Sequence, residues 1–199
     1  MSPRGVAIPD LRERLFGAAE RVLAREGPAA LTSRAITTEA DCAKGVLHVH
    51  FDGLDGFVAE LVLDRFARTA RQVAGIHEQA GHATVAENLL RAALALPDSL
   101  HPALIGLAMT RAEASLRIRQ ALEAGAPGFT AVQDSIAAYL AAEQRLGRLP
   151  DTMDIDTVAL TLVGTVHHLL MTDWAGTSDL RGRTERLIAL LVPQNAGHL

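Results

Sequence analysis

Apolar residues recur three and four positions apart along most of the 199-residue chain, and no stretch alternates convincingly with period two. The pattern predicts an all-α protein. Leu11, Leu15, Ala18, Ala19, Val22 and Leu23 form one stripe, with Arg12, Glu13, Glu20 and Arg21 off it. Gly27-Pro28 should stop this helix, because glycine favours the helix end and proline does not continue it. Two short helices are predicted next. The first covers Thr32–Glu39, with the Thr32 hydroxyl as cap and Ala35, Ile36 and Ala40 turned inward. The second covers Ala43–His50, anchored by Val46 or Leu47 and by Phe51. A long helix should follow from Leu54 to about Ile76, burying Phe57, Leu61, Val62, Phe66, Ala70 and Val73. Looser patterns place further helices at Val85–Leu96, Leu100–Ala124 with a break near Thr110, Gly128–Leu146, Ile155–Trp174 and Leu180–Leu191. The breaks fall at Pro97-Asp98, Gly125–Pro127, Gly147–Pro150 and Gly176–Ser178. Residues 1–9, ending in Pro9, read as a flexible arm.

A tight turn, Ala40-Asp41-Cys42, separates the two short helices. With the first helix as a floor, this is the spacing of a helix-turn-helix. Asp41 stands where positive φ is often required, and Cys42 should point inward as a small hydrophobe. The second short helix should turn Ala43, Lys44, Gly45, His48 and His50 outward. Its small first residues let a DNA backbone come close. Lys44, the only lysine in the chain, can meet a guanine edge or a phosphate, and the histidines can donate to phosphate oxygens.

The segment Leu15–Phe57, LFGAAERVLAREGPAALTSRAITTEADCAKGVLHVHFDGLDGF, resembles the tetracycline-repressor (TetR) family of transcription regulators. The marks are Ala18-Ala19, Gly27, Leu31-Thr32 with Ile36, Lys44-Gly45, Leu47, His50-Phe51 and Asp55, at fixed spacing over about a quarter of the chain. The resemblance implies a DNA-binding unit over residues 1–53 and a ligand-binding and dimerisation domain over 54–199. It implies a cytoplasmic homodimer held by the last two helices, most often a repressor on a palindromic operator and released by a small-molecule effector. The expected DNA contacts are Thr32, Ser33, Arg34, Ala43, Lys44, Gly45, Val46, His48 and His50. The sequence departs from the family pattern at four places: His48 replaces a tyrosine, Leu54 a lysine, Asp41 a glycine and Ala43 a serine.

Composition narrows the alternatives. The formal net charge is −4, so DNA binding requires a local basic patch and not a global field. Residues 1–60 carry seven Lys/Arg against nine Asp/Glu. One cysteine excludes an internal disulfide and a Cys-rich zinc module. His48 and His50 lie about 200° apart on a helix and cannot chelate one ion, so no metal or other cofactor is expected. The amino terminus lacks the apolar run of a signal peptide, and Val158–Met171 reads as too short and polar to span a membrane.

Near the carboxyl end, Leu160, Val163, His167, Met171 and Trp174 share one stripe, and Ile155, Val158, Leu162, Val166 and Leu169 share another. A helix apolar nearly all round needs covering on both sides, by a core or cavity and by a partner subunit. Candidate effector contacts are Met109, Arg111, Phe129, His167, Met171 and Trp174. No nucleophile–base pair or carboxylate cluster points to catalysis, so an enzyme is not expected. Two rivals remain: a helical small-molecule binder or enzyme on this fold without operator binding, and a helical adaptor using its terminal helices.

Overall fold

The computed structural model describes residues 8–99, 102–172 and 179–192. They form α1 (Ile8–Glu26), α2 (Ser33–Glu39), α3 (Val46–Phe51), α4 (Gly53–Ala74), α5 (Val85–Ser99), α6 (Pro102–Thr110), α7 (Ala112–Glu123), α8 (Phe129–Arg145), α9 (Ile155–Thr172) and α10 (Leu180–Leu191). Short 3₁₀ turns occupy Pro28–Ala30 and Gly75–Gln79. The described residues contain no strand, and the all-α expectation holds.

Several predicted ends move. Helix α1 begins at Ile8, so Pro9 belongs to its first turn and not to an arm; proline fits there because that N–H has no helical partner. Pro97 does not break α5, which runs on to Ser99. Proline's φ is itself helical, so near a helix end the main loss is one hydrogen bond. The predicted break near Thr110 is real and separates α6 from α7. Helix α4 tightens into the 3₁₀ turn after Ala74.

Two compact units emerge, residues 1–62 with 103–123, and residues 63–102 with 124–199. The first is built on three rings, Phe16, Phe51 and Phe57, with centroids 5.0–5.9 Å apart. All three are buried, along with Leu15, Ile36, Leu47 and Leu61. The Arg12 guanidinium lies over Phe16 and Phe51 and pairs with Glu60, fixing α1 to α4. Gly56 is obligatory here: a Cβ would lie 1.8 Å from the Phe51 carbonyl oxygen, so only glycine lets α4 pass the end of α3.

In the second unit α9 packs on α8, α10 and α5. Val158, Leu162, Val166 and Leu169 are buried, as that stripe predicts, whereas Leu160 of the other stripe is exposed. Helix α9 is in fact long and apolar enough to meet the length and hydropathy of a membrane span. Seven of its residues are buried against neighbouring helices, which makes it a core helix of this unit. Inside the unit, buried Asn88 donates to the Tyr139 hydroxyl at 3.1 Å. The fully buried Glu143 carboxylate pairs with Arg148 at 3.3 Å and accepts from the Gly81 N–H.

Candidate nucleic-acid interface and ligand region

The helix-turn-helix is built locally. The Thr32 hydroxyl caps α2 by accepting from Ala35 N–H at 3.1 Å. The Thr37 hydroxyl donates back to the Ser33 carbonyl at 2.9 Å. At the other end Glu39 would oppose the helix dipole, but Arg21 and Arg25 hold it at 2.7 and 3.1 Å. Their hydrogen bonds keep the Glu39 carboxyl below its ordinary range. Asp41 makes the turn at φ 50, as its position predicts. Arg14 of α1 donates to the Ala40 carbonyl at 2.8 Å, tying the turn to the floor helix. Cys42 is not turned fully inward: it is half-buried, and its thiol donates to the Ala40 carbonyl at 3.3 Å while its sulfur lies 3.7 Å from the Arg14 guanidinium.

The second short helix starts later than predicted. Ala43, Lys44 and Gly45 form a turn, closed by Val46 N–H to the Ala43 carbonyl at 3.1 Å, and α3 proper begins at Val46. Ala43 has no side-chain oxygen to cap the start, and Gly45 occupies the cap position without a side-chain bond. Leu47 and Phe51 are the buried anchors, and Val46 is half-buried. Lys44, Gly45, His48, Val49 and His50 are exposed. A Cβ on Gly45 would meet nothing within 4 Å, so the fold does not require glycine there. Arg34 is exposed on α2, and Ser33 is half-buried. Neither Arg34 nor Lys44 is in an ion pair among the described residues.

The sequence reading missed Val49. It is 74% exposed, on the outer face of α3 between the two histidines and one turn beyond Gly45. Its signal was available: with Leu47 and Phe51 inward, a valine two positions from each must point away.

The end of α3 is held by charge. Asp52 terminates the helix in the left-handed conformation, φ 57. Arg117 of α7 donates to Asp52 at 2.7 Å and to Glu113 at 2.9 Å. Three residues beyond Asp52, Asp55 pairs with Arg111 at 2.5 Å. Of the nine acids in residues 1–60, Glu26, Glu39, Asp52, Asp55 and Glu60 face arginines, and the arginines on Asp52 and Asp55 come from residues 103–123.

The predicted effector residues divide. Phe129 meets Phe66 and the His167 ring, with centroids at 5.0 and 4.6 Å, both edge-on. His167 and Met171 are half-buried. Burial pushes the His167 pKa down, and the neighbouring His168 adds to that. Met109 is 69% exposed, and Arg111 is engaged with Asp55; both belong to the first unit. Trp174 lies outside the described residues. Among the described residues no cluster of three His, Cys, Asp or Glu side chains could hold a metal ion.

Residues 15–61 match the sequence pattern of the bacterial regulatory proteins of the tetR family. None of the curated proteins matches the chain. Solved structures do. A Mesorhizobium loti protein assigned to the TetR family of transcriptional regulators has a TM-score of 0.70 at 18% identity, covering 94% of this chain and 97% of that one. Escherichia coli NemR in its reduced form gives 0.70 at 12% identity, covering 94% and 100%. Bacillus subtilis FadR, solved with stearoyl-CoA, gives 0.64 at 16% identity, covering 91% and 97%. At such identities the likeness establishes the fold. Residues 15–61 thus form a tetR-family helix-turn-helix domain, and the chain as a whole folds as the TetR-family transcriptional regulators do.

Proposed function

We propose that this protein is a ligand-responsive, DNA-binding transcription regulator, acting as a homodimeric repressor on a palindromic operator in the cytoplasm. The observation that carries the reading is the outer face of α3. His48, Val49 and His50 are exposed there and Lys44 in the turn just before it, while Leu47 and Phe51 anchor the helix from behind. Such a helix fits a major groove, with Lys44 and the histidines toward phosphates and base edges. The start of α2, with Thr32, Ser33 and Arg34, and the turn Ala43–Val46 add backbone contacts. Residues 1–53 would carry this role and residues 54–199 ligand binding and dimerisation.

The dimer reading rests on the outer face of α9 and α10. Leu160 is exposed on α9, Gly164 leaves open space beside it, and Leu190 on α10 is 85% exposed. A second copy would cover both helices and bring the two α3 helices to half-sites one DNA turn apart. The effector reading rests on Phe129, His167 and Met171, a mostly apolar wall with one polar ring. Arg111 is not its anion partner, because Asp55 already neutralises it. The effector must bind the DNA-competent and incompetent arrangements with different affinity; otherwise nothing shifts. No catalytic role is proposed.

The test is binding to the DNA flanking the protein's own coding region, measured across salt. A regulator shows sequence-selective binding with a steep salt slope, and Lys44→Ala, which removes one lysine from each subunit of the dimer, lowers affinity and flattens the slope by about two. Absence of selective binding at low salt without effector would sink this reading and favour a helical small-molecule binder.

A further inference from the structure

A cleft in the second unit has neither Phe129 nor His167 among its lining residues. It has a volume of about 510 Å³ and sits between the end of α4, the Gly75–Gln79 turn and α5. That volume falls within the range of about 300–1,000 Å³ common for small-molecule sites. Val73, Ile76, Ala92 and Ala95 supply its apolar side. Gln72, Gln79 and Arg91 supply donors.

Arg91 is held in place from below. Its guanidinium donates to Asn88 Oδ1 at 3.2 Å. Asn88 is buried, and its amide donates to the Tyr139 hydroxyl at 3.1 Å and to the carbonyls of His82 and Gln79 at 2.9 and 3.3 Å. Tyr139 is hydrogen-bonded in turn to Glu143, and burial with that bond raises its pKa. Arg91 is therefore fixed at the cleft by a buried relay, while its charge meets no ion-pair partner among the described residues. Glu87 feels the Arg91 charge, but its carboxylate is bonded to the Thr84 N–H and hydroxyl at 2.9 Å.

A positioned cation beside an apolar wall, with no carboxylate among the described residues that line the cleft, selects an anion with a hydrocarbon body. We propose that this cleft binds a small amphipathic monocarboxylate, its carboxylate on Arg91 and the Gln79 amide, its tail on Val73, Ile76 and Ala92. The site is independent of the DNA reading and of the Phe129–His167 wall.

The probe is octanoate, titrated into the isotopically labelled full chain and followed by NMR, with 1-octanol as the uncharged control. Octanoate is expected to shift the side-chain amides of Gln72, Gln79 and Asn88 saturably, one molecule per chain, below about 5 mM. Octanol should bind at least about tenfold more weakly, since it lacks the charge-assisted bonds. Arg91→Gln, an exposed site, should cost octanoate about tenfold and leave octanol unchanged; Ala95→Trp, which fills the cleft, should weaken both. The proposal is overturned by absent saturation, by shifts centred on Phe129 and His167, or by an Arg91→Gln chain that still prefers octanoate. Loss of DNA binding in the wild-type chain would leave these outcomes unchanged, so the two readings fail separately.

Discussion

Arg117 Nη2 donates to Asp52 Oδ2 at 2.7 Å, and Asp52 is the left-handed residue that ends the reading helix. One side chain thus does two jobs. Its backbone tolerates φ 57, and its carboxylate ties the end of α3 to α7. Substitutions separate the two. Asp52→Asn keeps the conformational tolerance and removes the charge; the pair is exposed, so thermal stability should barely change. Asp52→Val places a β-branched residue at positive φ and should lower Tm by several degrees. The Arg117 hydrogen bond holds the Asp52 carboxyl below its ordinary range. Its stabilising contribution is therefore complete above the ordinary aspartate value of about 3.9 and is lost as pH falls through the lower folded value. Asp52→Asn should flatten the acid limb of a stability-against-pH curve in that window.

Two glycines flank α3 and should behave in opposite ways. At Gly56 an added methyl would collide with the Phe51 carbonyl oxygen, a backbone atom that cannot step aside without moving α3. Gly56→Ala should cost about 1–3 kcal/mol in denaturant unfolding despite alanine's better helix propensity, and should impair DNA binding with it. At Gly45 the φ is −82 and the space is open. Gly45→Leu should leave the unfolding midpoint within about 1 kcal/mol of wild type and still reduce DNA affinity, because the added bulk stands where a DNA backbone would approach. Equal losses of stability in both variants would contradict the packing described above.

His167 titrates below its ordinary range because burial against Phe129 disfavours the imidazolium. The unfolded chain therefore binds a proton at higher pH than the folded chain. Stability should fall as pH drops below about 6.5 and stop falling below the folded pKa. His167→Phe removes this dependence while keeping a ring beside Phe129. Unfolding midpoints at pH 7.5 and 5.5 should converge for the variant relative to wild type. A variant with the same acid loss would place its origin in another group.

The helical stripes and the turn were legible because local chemistry sets them. The Thr32 cap, the Gly27 stop, Asp41 at positive φ and the buried positions of α4 all follow from residue type and spacing. What the sequence hid is long-range. Nothing near Asp52 or Asp55 announces that Arg117 and Arg111, more than fifty residues on, will neutralise them. Counting charges over residues 1–60 therefore overstated the acidity of the first unit. Arg111 was open to an effector reading for the same reason. The start of α3 was placed three residues early because Ala43, Lys44 and Gly45 are compatible with helix, and only the absence of a capping oxygen argued for a turn.

Val49 offers the sharpest test of base reading. It is the exposed apolar residue of α3, and a valine on the outer face of a reading helix matches the one apolar feature of the major groove, the thymine methyl. A preferred site is first selected from random-sequence duplex DNA with the wild-type chain. Each thymine in it is then replaced by uracil, which deletes only the methyl. Burying one methyl contributes about 0.8 kcal/mol, so a uracil in one half-site should cost about fourfold in affinity, and one in each half-site about fifteenfold. Val49→Ala should cost a similar or somewhat larger factor on the thymine site. On the uracil site the two losses should not add, because each removes one side of the same contact. A flat uracil scan with wild-type protein, or a uracil penalty that persists in full in Val49→Ala, would show that Val49 faces the groove without reading it.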